Sequence, residues 1–303
     1  MITKLDQLID LAKKKGKKRL VAAYAMDAHT IGAVSQAIDQ GIVEGTLVGD
    51  VDTIKKICAE EKIDPAKFNL IQEANEAKAG SVAVKYVKDG NADILMKGTL
   101  STDKYMHPIL NKETGLMPGT KKDMLTHISV FEVPAYHKLL ICCDVAIIPL
   151  PDFKQKQAML GYLVSTAKDL EIEQPKVAVV CPTEQMLPAI TACTDAALLA
   201  KMNERGQVVK GAIVEGPLSL DIAVNKEAAD IKKLVSPVAG DADCLLFPNL
   251  ESSNVFYKAC TKFAGAELAC KVVGAKVPCI LTSRGDSMKT KLNSIALAAI
   301  SCK

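Results

Sequence analysis

The sequence predicts an α/β protein built on mostly parallel sheets. Short runs rich in Val, Ile and Leu alternate along the chain with longer stretches in which apolar residues recur at helical spacing. Some of the short runs, such as 177–180, are apolar at every position, which is typical of strands that helices cover on both faces. This repeated alternation of strand and helix patterns indicates an α/β fold.

These patterns predict the individual elements in chain order. Strands are expected at 20–26, 46–49, 93–96, 128–133, 139–148, 176–180, 210–214, 244–247 and 278–281. Helices are expected at 2–15, 73–87, 154–170, 184–202, 252–273 and 287–300. In the first of these helices, Leu5, Leu8 and Leu11 recur at a spacing that brings them to one face.

The composition is that of an ordinary globular protein. The 303 residues suffice for one large or two small domains, and 49% of them are hydrophobic and 24% charged. The net charge is +3, from 38 Lys and Arg against 35 Asp and Glu, so the basic excess of a nucleic-acid-binding protein is lacking. Aromatic residues make up 4%, which argues against base-stacking surfaces. We therefore expect no nucleic-acid partner.

The cysteines, the histidines and the N-terminus indicate the compartment. Ten cysteines occur without a CxxC pair, and most lie in apolar runs, which favours buried thiols in a reducing cytosol. The four histidines show no metal-ligand spacing, so no metal site is expected. The first residues form no apolar signal segment, and no later run of about 18 apolar residues predicts a membrane span. We expect a cytoplasmic protein.

Small and polar residues follow the predicted strands, at the edge where open α/β sheets bind ligands. These segments are 27–29, 97–102, 182–184, 215–217, 248–249 and 282–287. Turns of this kind let backbone N–H groups approach an anion, and the helix N-termini that follow favour negative charge. The sequence therefore predicts an anion site at strand ends.

The first candidate turn begins at Lys97 and runs through Gly98 and Thr99 to Ser101 and Thr102. A cation, a flexible glycine and hydroxyl groups at a strand-to-helix turn suit phosphate, although the spacing is not that of a P-loop. The alternative is that Ser101 or Thr102 caps a helix beside a solvent-facing Lys97. The sequence leaves both interpretations open.

The second candidate turn contains Arg284, one of only three arginines in the chain. It follows the predicted strand 278–281 closely, and a guanidinium near the end of a buried strand needs an anionic partner. That partner is either a ligand phosphate or an internal carboxylate such as Asp286. The hydroxyl groups on both sides of Arg284 and the helix that follows favour the ligand.

Several motifs together resemble the phosphate acetyl/butyryl transferase family, and the butyryl branch more than the acetyl branch. The motifs are 96–99, 128–131, 214–218 with Asp221, 246–250 with Asn254, and 282–298. The resemblance, with the motifs in this order, spans nearly the whole chain. The resemblance implies two three-layer α/β domains with mostly parallel sheets and an active-site cleft between them. The first domain would comprise 1–133 and 275–303, and the second would comprise 134–274.

The resemblance also implies the reaction, in which butyryl-CoA and phosphate give butyryl phosphate and CoA by direct transfer in a ternary complex. Alternatives are acetyl-CoA as the main substrate and a non-catalytic module that binds acyl-CoA or phosphate. A dehydrogenase is disfavoured because no dinucleotide fingerprint occurs. Coenzyme A is expected as a substrate, with no tightly bound cofactor. The further expectations are a homo-oligomer, a bacterial cytoplasmic location and butyrate kinase as metabolic neighbour.

Residue roles follow from the same resemblance. Ser283 matches a serine that stabilises the transition state, and Arg284 matches an arginine that holds phosphate. Thr290 stands where the acetyl branch has its proposed base, so Asp286 is the candidate catalytic base on proximity alone. The expected phosphate- or substrate-binding residues are Lys97, Gly98, Thr99, Ser101, Thr102, Ser129, Glu215, Gly216 and Pro217. The expected CoA-binding residues are Asp221, Asn249 and Asn254.

Overall fold

The structure, a computed structural model, describes residues 1–120, 124–283 and 285–302. In chain order, the strands are β1 (Lys18–Ala23), β2 (Val43–Gly49), β3 (Phe68–Gln72), β4 (Ile94–Lys97), β5 (Thr126–Glu132), β6 (Leu140–Cys143), β7 (Lys176–Val180), β8 (Ile213–Leu218), β9 (Cys244–Leu246), β10 (Glu267–Val273) and β11 (Cys279–Ile280). The helices are α1 (Gln7–Lys14), α2 (Ala28–Asp39), α3 (Val51–Glu60), α4 (Glu76–Lys88), α5 (Thr102–Leu110), α6 (Phe153–Asp169), α7 (Thr191–Glu204), α8 (Leu220–Val224), α9 (Lys226–Ile231), α10 (Leu250–Lys262) and α11 (Met288–Ser301).

The chain divides into two compact units. The first unit comprises Asp6–Leu125 and Leu268–Lys303, and the second comprises Met1–Leu5 and Thr126–Glu267. Both contain strands and helices, so the predicted α/β class with mostly parallel strands is confirmed. The domain limits expected from the sequence, after 133 and after 274, stay a prediction.

The first unit is a doubly wound sheet in which the strand order reverses beside β1. The order is β3-β2-β1-β4-β11-β10, and every neighbouring pair from β3 to β11 is parallel. After β1 the chain builds β2 and β3 outwards on one side and then returns to β4 on the other. This reversal creates a crevice at the carboxyl ends of β1 and β4, which is where such sheets bind ligands.

The second unit has the strand order β5-β6-β9-β7-β8. β5 and β6 are antiparallel, whereas β6, β9, β7 and β8 are parallel to their neighbours. β6, β7 and β9 are almost fully buried, because helices cover both faces of such a sheet.

Helix caps turn the chain sharply at the carboxyl ends of the strands in the first unit. Asp27, Ser101 and Ser287 are the N-caps of α2, α5 and α11, and each side chain accepts a hydrogen bond from a backbone N–H in the first turn. A cap of this kind stabilises a helix by about 1 kcal/mol. The residues between strand and cap are therefore held in short, defined turns.

The helix expected at 184–202 begins only at Thr191, and two further element predictions were wrong at their C-terminal ends. The helix expected at 252–273 ends at Lys262, and Glu267–Val273 is strand β10. Gly265, with φ of +64°, lies in the left-handed region and breaks the helix. The strand expected at 139–148 ends at Cys143, because Asp144 accepts hydrogen bonds from the Ala146 and Ile147 N–H groups. Both segments are apolar, so their composition alone did not show where the helix or the strand ends.

The described part of the chain holds no helix with the length and apolar character to cross a membrane. The same residues contain no group of three or more His, Cys, Asp or Glu side chains that could hold a metal ion.

Candidate active site

A pocket of about 240 Å³ lies where the strand order of the first unit reverses. Asp27, Ala28 and His29 line it from the N-terminus of α2, Gly98 and Thr99 from the turn after β4, and Lys291 from α11. A carboxylate, an imidazole, a hydroxyl and an ammonium group thus meet in one crevice. This combination can hold an anion and move a proton.

The turn after β4 is fastened to the turn after β1. The Gly98 N–H donates to Ala23 O at 2.9 Å, and the Thr99 N–H donates to Tyr24 O at 3.0 Å. The Thr99 hydroxyl also donates to Tyr24 O, at 3.1 Å. Because these donors are engaged within the protein, the prediction that Gly98 and Thr99 offer them to phosphate is left without structural support.

Gly98 is required by the close approach of these two turns. A Cβ at this position would lie 2.7 Å from Ala23 O and would overlap Tyr24 O. We expect Gly98→Ala to lower the free energy of unfolding by about 1–3 kcal/mol, the usual cost of overpacking. Chemical denaturation monitored by circular dichroism measures this.

The matched control for Gly98→Ala is Gly161→Ala, within α6. The added methyl there meets only Val209 Cγ1 at 3.9 Å, and alanine in a helix is more favourable than glycine by about 0.5–1 kcal/mol. Gly161→Ala should therefore be neutral or stabilising. Equal stability of the two variants would contradict the close-packed interpretation of the turn.

The turn at 97–102 was predicted either to bind phosphate or to cap a helix beside a solvent-facing Lys97. Ser101 Oγ accepts from the Lys104 N–H at 3.3 Å and caps α5, and Thr102 is the first residue of that helix. The Ser101 N–H donates to Glu76 Oε1 at 2.9 Å. The cap is thus confirmed, but Lys97 does not face solvent, since only 3% of it is exposed. Lys97 is a buried cation, and its role in phosphate binding stays a prediction.

The turn after β11 is closed by Asp286. Its Oδ2 accepts from the Ser283 N–H at 2.7 Å, and the Asp286 N–H donates to Ser283 O at 3.1 Å. Ser287 Oγ then accepts from the Thr290 N–H at 3.1 Å and caps α11. This geometry makes Asp286 a positioning residue for Ser283, whether or not it also takes a proton. Arg284 lies outside the described residues.

Lys291 is a site residue that the sequence analysis missed. It is 2% exposed and lines the pocket, and its Nζ donates to Thr282 Oγ1 at 3.3 Å. A signal was present in the sequence, because Lys291 precedes the fully buried Ile295 and Ala298 by four and seven residues. At helical spacing these positions share one face, so Lys291 belongs to the buried face of α11.

Asp27 also lines the pocket and was considered only as part of a strand end. Its Oδ1 accepts from the Thr30 N–H at 2.9 Å and caps α2. Its Oδ2 is buried and has no hydrogen-bond partner among the residues that the structure describes. A buried carboxylate oxygen without a donor is costly, so Asp27 keeps unused capacity to accept a hydrogen bond.

The other predicted substrate-binding residues belong to the second unit. Ser129 is fully buried in β5, with Oγ 3.4 Å from His127 Nδ1. Glu215, Gly216 and Pro217 lie in β8, where the Glu215 side chain accepts from the Gly216 N–H at 3.0 Å. The described contacts give these residues roles within their own strands, and their contact with substrate stays a prediction.

The three residues predicted to bind CoA also have partners within the protein. Asn249 caps α10 by accepting from the Ser252 N–H at 2.9 Å, and the Asn254 amide donates to Val145 O at 3.1 Å. A hydrogen bond with Ser219 is the main cause that lowers the pKa of Asp221, and the nearby Lys232 lowers it further. Asp221 is thus a stable negative charge near neutral pH. Contact of these three residues with CoA stays a prediction.

Comparison with known proteins finds relatives that align over nearly the whole chain. The family model described as "Phosphate acetyl/butaryl transferase" matches residues 62–299. A "Phosphate butyryltransferase" of Clostridium acetobutylicum is 41% identical over 300 residues, which cover 99% of this chain and 98% of that protein. A "Phosphate acetyltransferase" of Thermotoga maritima is 41% identical over 296 residues, which cover 98% of this chain and 99% of that protein.

A solved structure extends the likeness to three dimensions. The branched-chain phosphotransacylase from Enterococcus faecalis V583 aligns with a TM-score of 0.81 and 26% identity, over 94% of this chain and 99% of that one. The family model and the relatives together define an acyltransferase. The chain belongs to the phosphate acetyl/butyryl transferase family.

Proposed function

We propose that this chain transfers a butyryl group reversibly between CoA and inorganic phosphate. The observation that carries the proposal is the 41% identity, over 99% of the chain, to the phosphate butyryltransferase of Clostridium acetobutylicum. The pocket at the strand reversal supports it, because buried Lys291 lines it and contacts Thr282, the residue before Ser283. A second buried cation, Lys97, ends β4, the strand that pairs with β11 just before the same turn.

The reaction needs a proton acceptor and a phosphate clamp. Towards butyryl-CoA, Asp286 takes the CoA thiol proton, the thiolate attacks the acyl carbonyl, and the C–O bond to phosphate breaks. A thiol with a pKa of about 8.5 is mostly protonated at neutral pH, so this base matters. Ser283 stabilises the oxyanion, and Arg284 with Lys97 holds the leaving phosphate. In reverse, phosphate attacks the thioester and the CoA thiolate recovers the proton.

Transfer takes place directly between the two substrates. The cysteines in strands β10 and β11, Cys270 and Cys279, are buried, and burial raises the pKa of each thiol to about 12. Thiols of this kind stay protonated and are poor nucleophiles. This argues against an acyl-thioester intermediate on either cysteine.

The remaining assignments belong to the same proposal. Asp221, Asn249 and Asn254 bind CoA, and the second-unit residues Ser129, Glu215, Gly216 and Pro217 contact substrate, as do Gly98, Thr99, Ser101 and Thr102. The enzyme holds no tightly bound cofactor or metal and works as a homo-oligomer in a bacterial cytoplasm. A kinase that consumes butyryl phosphate is its metabolic neighbour.

The proposal is tested by CoA release from acetyl-, propionyl-, butyryl- and isobutyryl-CoA, with and without phosphate, followed by a thiol reagent. We expect release to require phosphate and to be fastest with butyryl-CoA. One methylene in a binding pocket is worth about 10–200-fold in kcat/KM. We therefore expect kcat/KM for acetyl-CoA to be lower than that for butyryl-CoA by at least about tenfold. Fastest release from acetyl-CoA would instead place the chain functionally with the Thermotoga maritima relative.

A further inference from the structure

We propose that Lys291 is a phosphate-binding residue of this enzyme, with its ammonium group in contact with the phosphate that is transferred. The inference rests on the proposed function and adds to it a residue on α11. The chain has only three arginines, Arg19, Arg205 and Arg284, so lysine is the more available cation for a phosphate site.

Lys291 carries a charged ammonium group into a buried environment. Lys291 is 2% exposed, and its Nζ contacts the Thr282 hydroxyl at 3.3 Å. It forms no ion pair with any carboxylate in the described part of the chain. An ammonium group removed from water without an anion is strongly unfavourable. A bound phosphate would supply the missing negative charge.

Two other buried lysines of the same chain accommodate such a charge by pairing with a carboxylate. Lys156 is 5% exposed and pairs with Asp195 at 2.7 Å. Lys138 is 9% exposed and pairs with Asp243, also at 2.7 Å. Lys291 is more buried than either, yet it has a neutral hydroxyl where they have carboxylates. This difference points to a ligand rather than to a structural ion pair.

Lys291 also lies at the strand ends that form the pocket. Lys291 lines the pocket together with Thr99 and Gly98, and β4 and β11 are parallel neighbours with Met96 opposite Ile280. Thr282, which holds the Lys291 ammonium group, directly precedes Ser283. A phosphate bound by Lys291 would therefore lie in the strand-end crevice beside the Ser283 turn. Asp27 lines the same pocket but forms no ion pair with Lys291 and uses Oδ1 to cap α2.

The test compares Lys291→Met with Lys289→Met, a change of the same type at an exposed position on the same helix. Steady-state kinetics give separate KM values for phosphate and butyryl-CoA. We expect Lys291→Met to raise KM for phosphate at least about tenfold, as for the loss of a charge-assisted hydrogen bond, and KM for butyryl-CoA by less than twofold. Lys289→Met should match the parent in both values.

Thr282→Val provides a second variant in case Lys291→Met does not fold. It removes the hydroxyl that holds Nζ and keeps the side-chain shape, so we expect a smaller rise, about threefold, confined to KM for phosphate. A phosphate KM unchanged in Lys291→Met, or in Thr282→Val if Lys291→Met is unfolded, overturns the proposal. An equal rise of both KM values overturns it too, because that outcome indicates a general structural role.

A readout independent of activity separates this inference from the proposed function. Inorganic phosphate should raise the Tm of the parent and of Lys289→Met, because a ligand that binds the folded state stabilises it. Lys291→Met should lose this shift but keep the shift caused by CoA. A parent that turns over no acyl-CoA would contradict the proposed function, whereas an unchanged phosphate shift in Lys291→Met contradicts the role of Lys291 alone.

Discussion

Replacing Arg284 with alanine is expected to lower kcat/KM for phosphate-dependent CoA release by about 10²–10³-fold. The guanidinium is proposed to hold the phosphate on which negative charge develops as the acyl bond breaks, and removing one such preorganised donor typically has this effect. The change should act on KM for phosphate and on kcat, with little effect on KM for butyryl-CoA. Initial rates with phosphate as the varied substrate measure it.

Two other variants give this prediction its controls. Arg205→Ala removes another of the few arginines, from an exposed position at the end of α7, and should leave the rates unchanged. Arg284→Lys keeps the charge but loses the planar fork that binds two oxygens at once, so its activity should fall between the parent and Arg284→Ala. Parent-like rates in Arg284→Ala would remove Arg284 from the phosphate site.

The second large effect is expected at Asp286, where asparagine and alanine separate two roles. The asparagine side chain of Asp286→Asn keeps an oxygen that can accept the Ser283 N–H, but it cannot take a proton. If Asp286 is the base, Asp286→Asn should lose about 10²–10⁴-fold in the rate of acyl transfer to CoA. Asp286→Ala should lose more, since the Ser283 N–H then also lacks the acceptor that it has at 2.7 Å.

A pH profile decides whether the loss in Asp286→Asn comes from proton transfer. Raising the pH towards about 9 converts most of the CoA thiol to thiolate, because its pKa is near 8.5. The deficit of Asp286→Asn relative to the parent should then shrink. If Asp286→Asn is as active as the parent and only Asp286→Ala is impaired, Asp286 positions Ser283 and does not act as the base. Asp27, with a buried oxygen that lacks a partner among the described residues, is then the residue to test.

The sequence predicts the fold class correctly because the alternation of strands and helices is a local signal. It fails at β10, where Gly265 ends α10 and an apolar run continues as a strand. Strand β3 was not predicted either, since Phe68–Gln72 has only one buried position and a weak apolar pattern. Element type in such short segments is decided by pairing with a neighbouring strand, here β2.

The candidate site is predicted less completely, for a physical reason. The turns at Lys97 and Ser283 follow apolar runs and can be found along the chain. Which groups meet depends on strand order, and only the structure shows that β1 and β11 both flank β4. Lys291 and Asp27 therefore gain their place in the pocket from tertiary structure. The same contacts show that the Gly98 and Thr99 N–H groups are already engaged.

The most direct test of butyryl transfer from CoA to phosphate is the amount of butyryl phosphate formed per CoA released. The parent is incubated with butyryl-CoA and inorganic phosphate, the butyryl phosphate is quantified by phosphorus NMR, and the thiol is measured in the same sample. The proposed function predicts one acyl phosphate per CoA and no CoA release without phosphate. CoA release that continues without phosphate and yields no butyryl phosphate would show hydrolysis of the thioester and contradict it.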